Sequence, residues 1–190
     1  MKSGPALLRR DAGGPTIRCM EPWPGLQLIT KDLINRVVAQ AQQSARRRMN
    51  YNFHSGDDDN PHRFLNVFLY GSYVRPHRHR APPKSESFLV LDGHMVAFIF
   101  DDHGAVACAH ILGGEPFPGP APSRVKDATV ARGIELDPGV WHCVTALSPV
   151  AVCYEVKPGP WDPATDKEFA PWAPAEGSAE AAEYMARLLS

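Results

Sequence analysis

The chain has 190 residues, 44% of them hydrophobic, which is enough for one well-buried core and short for two independent domains. Twenty Lys and Arg stand against 21 Asp and Glu, so no global field draws the chain to nucleic acid or anionic lipid, and the expected partner is a small-molecule substrate. No apolar run approaches the ~18 residues of a membrane-spanning helix, and the "ALL" near the N-terminus is too short for a signal-peptide core, so the expectation is a cytoplasmic protein without membrane contact.

Residues 1–22 are rich in Gly, Pro and Arg without periodicity and read as a flexible N-terminal arm. Residues 23–48 read as a helical segment. Thr30 has N-cap chemistry, and Leu33, Ile34, Val37, Val38 and Ala41 recur at helical spacing. The helix is expected to reach Arg46, Arg47 and Arg48, whose charges suit a helix C-terminus and otherwise read as a solvated end. Over residues 49–175 the pattern turns to short runs with period-two alternation: "MNYNFH", "RFLNVFLY", "SYVRPHRH", "ESFLVLD", "MVAFIFD", "AVACAHIL", "TVARGIEL", "HCVTAL" and "VAVCYEVK". Strands spaced in this way predict an all-β sandwich or barrel, with Gly93 and Gly104 supplying turns. Prolines concentrated in "EPFPGPAPS", "KPGPWDP" and "APWAP" mark rigid connections. Residues 176–190 predict a short helix docking on the sheet, with Ser178 as cap and Ala181, Tyr184, Met185, Leu188 and Leu189 on one face. Cys19, Cys108, Cys143 and Cys153 are scattered without a CxxC pair, which suits a reducing compartment; Cys143 and Cys153 read as small core residues.

One stretch, "YVRPHRHRAPPKSESFLVLDG", breaks the pattern of ordinary strands. Side chains two apart on a strand share a face, so His77 and His79 project together with Tyr73 and Arg75, and two imidazoles can share one metal ion. Glu86 opens the next strand at the end of a face carrying Phe88 and Val90, an expensive place for an unpaired charge that a cation would offset. Further along, "ELDPGVWHCV" turns at Pro138 and Gly139 and delivers His142 into another strand, making a third imidazole available. Three neutral imidazoles and a carboxylate leave two positions open on an octahedral Fe(II), Mn(II) or Ni(II) ion, or close a tetrahedron around Zn(II).

Gly71, His77-x-His79, Glu86 and Gly93 resemble the first cupin motif, and Gly139-x-x-His142 resembles the second. More narrowly, "RRRMNYNFH", "HRFLN", "YVRPHRH", "YEVKPGPW" and "DKEFAPWAP", in that order, resemble the WbuC-type cupin metalloproteins, a bacterial family associated with surface-polysaccharide loci. The resemblance implies a mainly β fold: a cupin jelly-roll barrel (double-stranded β-helix) with an N-terminal and a C-terminal helix. It also implies one divalent metal ion held by His77, His79, Glu86 and His142. Two departures stand out: six residues separate His79 from Glu86, where the general cupin pattern has three or four, and Ala146 replaces the Asn that ends that pattern.

Candidate substrate contacts surround this set. Asn52 and His54 alternate with apolar residues on a strand that, taken alone, reads as a wet edge and that the resemblance turns toward a ligand. Asn66 lies among aromatics, either binding substrate or orienting a metal ligand; Tyr73 offers a polar group beside His77. Arg63 and Lys84 are anchors for an anionic or hydroxyl-rich ligand. Glu155 and Lys157 read as a structural ion pair, and His62, His94, His103 and His110 as structural or exposed. The function expected is a small metal-dependent enzyme, isomerase- or epimerase-like, acting on a sugar or sugar derivative with the ion as Lewis acid, although no general base is evident. An Fe(II) dioxygenase and a non-catalytic ligand-binding or sensor cupin are the alternatives. A homodimer is expected, with the helix before the barrel as a packing surface.

Overall fold

The computed structural model describes residues 24–125 and 129–190. The predicted arm and Cys19 lie outside them. The chain runs α1 (Lys31–Gln43), β1 (Arg48–Asn52), β2 (His62–Leu69), β3 (His77–Arg78), β4 (Glu86–Asp92), β5 (His94–Phe100), β6 (Val106–Gly113), β7 (Val130–Ala131), β8 (Gly133–Leu136), β9 (Trp141–Ala146), β10 (Val150–Lys157), β11 (Glu168–Phe169) and α2 (Ala179–Leu189). Two sheets, ordered β1-β2-β10-β4-β8 and β11-β3-β9-β5-β6-β7, face each other as a cupin-like jelly roll.

The alternation along β2 shows how the layers form. Phe68 points between the sheets, into an interior core with Val74, Phe88, Val90, Met95, Leu112, Leu136 and Val144. Leu65 and Val67 point the other way and pack with Val152 beneath Leu33, Val37 and Ala41 of α1. On the far side, α2 lays Met185 and Leu188 over Val96, Phe98, Phe100, Trp141 and Cys143 of the six-stranded sheet. Each helix therefore covers the outer face of one sheet. Cys143 and Cys153 are buried as core residues, and burial raises both thiol pKa values.

Several expected boundaries move. Thr30 caps α1, its Oγ1 accepting from Leu33 N at 3.2 Å, but the helix stops at Gln43 with Ser44 as C-cap and no basic residue in its last turn. The arginine cluster is not the helix end. Arg47 takes a left-handed φ of 56° and turns the chain so that Arg48 already begins β1. Ser178 stands at the N-cap of α2 without a side-chain capping bond. "TVARGIEL" is two strands: β7 pairs in parallel with β6 of one sheet, and β8 pairs with β4 of the other. Gly133 permits that crossing, since a Cβ there would lie 2.2 Å from the Phe88 carbonyl oxygen. In "SYVRPHRH" only His77 and Arg78 are strand, and β11 falls within the "DKEFAPWAP" block.

Candidate metal centre

Backbone pairing brings the histidines together. His77 and His142 are register partners across β3 and β9, and His79 follows one residue after β3. The Gly139 N–H donates to the His79 carbonyl at 3.0 Å, holding the turn before β9 against the segment after β3. Glu86 arrives from the first position of β4 in the opposite sheet. The four side chains are buried, and one candidate ligand atom from each lies within 4.8 Å of all the others. The long connection after His79 does not displace Glu86, whose oxygens stand 3.0 Å from His79 Nε2 and 2.9 Å from His142 Nε2.

The tautomers follow from the outer contacts. His77 Nδ1–H donates to the Arg75 carbonyl at 2.9 Å, His142 Nδ1–H to the Val140 carbonyl at 2.9 Å, and His79 Nδ1–H to the Asp166 carbonyl. Carbonyls only accept, so each neutral ring presents a lone pair at Nε2. Two such lone pairs facing the oxygens of one carboxylate repel unless a cation or protons come between them. His79 Nε2, His142 Nε2 and Glu86 Oε2 are buried without any hydrogen-bond partner. Donor types and orphaned atoms alike fit a divalent ion. Burial, followed by the charge of Lys167, holds the His77 imidazole well below its ordinary pKa, which favours the coordinating form. Burial alone would raise the Glu86 carboxyl; protons on Nε2 of His142 and then His79, standing in for a cation, would hydrogen-bond it and hold it well below the usual range.

The cluster forms part of the wall of a cavity of about 380 Å³. Asn52, His54 and Asn66, all expected near a ligand, line it together with His62, Glu155, Lys157 and Lys167. His54 and His62 stack with ring centroids 4.1 Å apart and planes 6° apart; His62 is thus a buried wall residue, its Nε2–H donating to the Asp57 carbonyl at 3.0 Å. Asn66 Nδ2 donates to Glu155 Oε2, which identifies it as an orienting group. The Glu155 carboxyl is raised to about 7, first by burial and then by the Glu86 charge.

Three expected contacts lie elsewhere. Tyr73 packs against Tyr184 under α2 and its hydroxyl donates to the Pro174 carbonyl at 2.8 Å; residues 71–76 are not strand, so the alternation linking it to His77 fails. Arg63 shares the parity of Leu65 and Val67 and does not line the cavity. Lys84 is buried against Asp166 at 2.8 Å, so its charge is already neutralised. Nor do Glu155 and Lys157 form an ion pair. Lys157 instead reaches Asp166 at 3.0 Å and Glu86 at 3.6 Å. Asp166, Lys167 and Glu155 are the contributors that sequence reasoning missed. Their signal was the resemblance block containing "DKEF" and the polar end of "VAVCYEVK".

Residues 29–112 match a family described as a domain of unknown function, DUF6016. No curated protein matches the chain. Among solved structures it is similar to the capsular polysaccharide assembling protein CapF from Staphylococcus aureus, at 17% identity and a TM-score of 0.47 over 64% of this chain and 31% of that one. It is also similar to KdgF from Halomonas sp., at 12% identity and a TM-score of 0.42 over 60% and 81% of the two chains. A third is the cupin domain of Cnp3 from Schizosaccharomyces pombe, at 8% identity and a TM-score of 0.40 over 59% and 61%. The chain thus spans about a third of the CapF chain it matches. No helix among the described residues is long and apolar enough to cross a membrane.

Proposed function

We propose that this chain is a WbuC-type cupin enzyme that uses one divalent metal ion, held by His77, His79, Glu86 and His142, to isomerise or epimerise an oxygen-rich small molecule such as a sugar derivative. The observation that carries the reading is the convergence of three backbone-oriented imidazoles and one carboxylate on a common point in the wall of a cavity. A divalent ion there supplies Lewis acidity toward a carbonyl or hydroxyl oxygen. The chain supplies proton handling. Glu155, positioned by the amide of Asn66 and raised to about 7, is the group suited to take a proton from a substrate carbon or return it near neutral pH. His54 and His62 form a polar wall suited to hydroxyl groups.

The test starts from protein purified without a His-tag or chelator. Elemental analysis is expected to find about one divalent ion per chain, and His142→Ala is expected to weaken metal affinity by at least ~10-fold. Metal-reconstituted protein is then incubated in D₂O with sugar derivatives, with and without oxygen. Anaerobic incorporation of deuterium at a substrate carbon with a redox-silent metal supports the reading; absence of bound metal, or strict dependence on oxygen, overturns it.

A further inference from the structure

Lys167 is half-buried and, unlike the charged groups beside it in the polar part of the cavity, has no partner among the described residues. Lys84 and Lys157 share Asp166, at 2.8 and 3.0 Å; Lys157 also approaches Glu86 at 3.6 Å, and Glu155 accepts from Asn66. Lys167 forms no hydrogen bond or ion pair with any described residue, yet its side chain lines the cavity. It also borders an adjoining hollow of about 430 Å³, which shares Arg46, Arg48, Trp161 and Asp166 with the cavity. Arg48 is tied to Glu176 at 2.7 Å, and Trp161 is 41% exposed. Lys167 and His77 line the same cavity, and among neighbouring charges that of Lys167 acts most strongly on the His77 imidazole.

The charge balance gives this lysine a meaning. Three carboxyl groups, Glu86, Glu155 and Asp166, the second titrating at about 7, face three ammonium groups, Lys84, Lys157 and Lys167, so the walls carry no excess of negative charge and the two charges of a bound divalent ion are uncompensated. An anionic ligand supplies what is missing and gives the unpaired ammonium a partner. We propose that Lys167 is the anion-receiving group of this site and that the substrate is a small polyhydroxylated acid, its carboxylate or phosphate on Lys167 and its hydroxyl or carbonyl oxygens toward the histidine cluster. The charge balance rests on the metal reading above, whereas the unpaired Lys167 does not. Burial lowers the Lys167 pKa, as it does for an ammonium that lacks a counter-ion until a ligand arrives.

The experiment is calorimetric titration of the full, metal-reconstituted chain with D-gluconate, D-glucitol 6-phosphate and neutral D-glucitol. These polyols share a six-carbon skeleton and differ at a charged end. At least one acid is expected to bind about tenfold or more tightly than glucitol, and whichever is tighter names carboxylate or phosphate. Lys167→Met is expected to lose most of that preference while glucitol binding and metal content stay unchanged, and Lys167→Arg to retain part of it. Because the Lys167 ammonium has no protein partner, the thermal midpoint of Lys167→Met is expected to be no lower than that of the wild type. The proposal is overturned if neither acid is preferred, if Lys167→Met keeps the full preference, or if its midpoint collapses, which would make Lys167 a structural post. Metal content is measured in every sample. Wild-type protein that takes up no metal yet binds the acid through Lys167 removes the metal reading and leaves the anion site standing.

Discussion

Glu155 shows how much one side chain's surroundings can change its role. The same carboxyl on an open strand face would be an ordinary surface acid; here burial and the nearby Glu86 charge lift it to about 7. Its folded value exceeds its unfolded one, so its contribution to stability is complete below the unfolded value, near 4.5, and disappears as pH rises through about 7. Glu155→Gln keeps an acceptor for the Asn66 amide and removes the titration. Chelator-treated wild type is therefore expected to lose roughly 1–2 kcal/mol relative to Glu155→Gln between pH 5 and pH 8, a figure discounted for the partial exposure of the residue. Urea unfolding of both proteins across that range checks it, and a difference independent of pH would show that Glu155 titrates as a solvated acid.

At the level of elements, the strands that hold the site carry their information locally, while the connections do not. The alternation around His77 and His79 and the Pro138–Gly139 turn before His142 hold in the structure, which is why the metal set was legible in the sequence. Tyr73 and Arg63 were misplaced for opposite reasons. Tyr73 lies in non-strand chain, where alternation has no force, and Arg63 lies in a true strand but on the face that packs toward α1. Lys84, Lys157 and Asp166 were not legible as a group because their pairing spans more than 80 residues between Lys84 and Asp166, and no local pattern encodes a contact at that separation. The break in "TVARGIEL" was hidden by the same locality: only the approach of Phe88 reveals why residue 133 is glycine. Gly133→Ala forces either the β4–β8 pairing apart or the Phe88 carbonyl aside, because the clash is with backbone and no side chain can swing away. It is expected to cost roughly 1–3 kcal/mol in chemical denaturation, as overpacking does in a closed interior. An unchanged midpoint would mean that β8 can detach from β4 without loss.

The whole molecule is closed in two different ways. One part of the space between the sheets is filled by Phe68, Phe88, Met95, Leu112 and their neighbours; the other holds the polar cluster, with imidazoles from β3, β9 and the segment just after β3 facing one carboxylate from the five-stranded sheet. A cation bound there joins the sheets where apolar packing does not, so its binding free energy adds directly to the stability of the jelly roll. At a free metal concentration a hundredfold above Kd, the linkage contributes about 2.7 kcal/mol. For a chain of this size that amounts to a rise of roughly 5–10 °C in the thermal midpoint. The increment is expected with the reconstituting ion, absent after chelation, and reduced to about half or less in His142→Ala at the same free metal concentration. Protons compete for the same Nε2 lone pairs, so the metal-dependent part of the stability is expected to fall away below about pH 6, under the ordinary imidazole value because burial holds His77 low. Scanning calorimetry at pH 7.5 and pH 5, with and without metal, separates this from general acid sensitivity. Only the metal-loaded wild type should lose its advantage on acidification, and an advantage that survives at pH 5 in full would mean that the ion is not held by histidine.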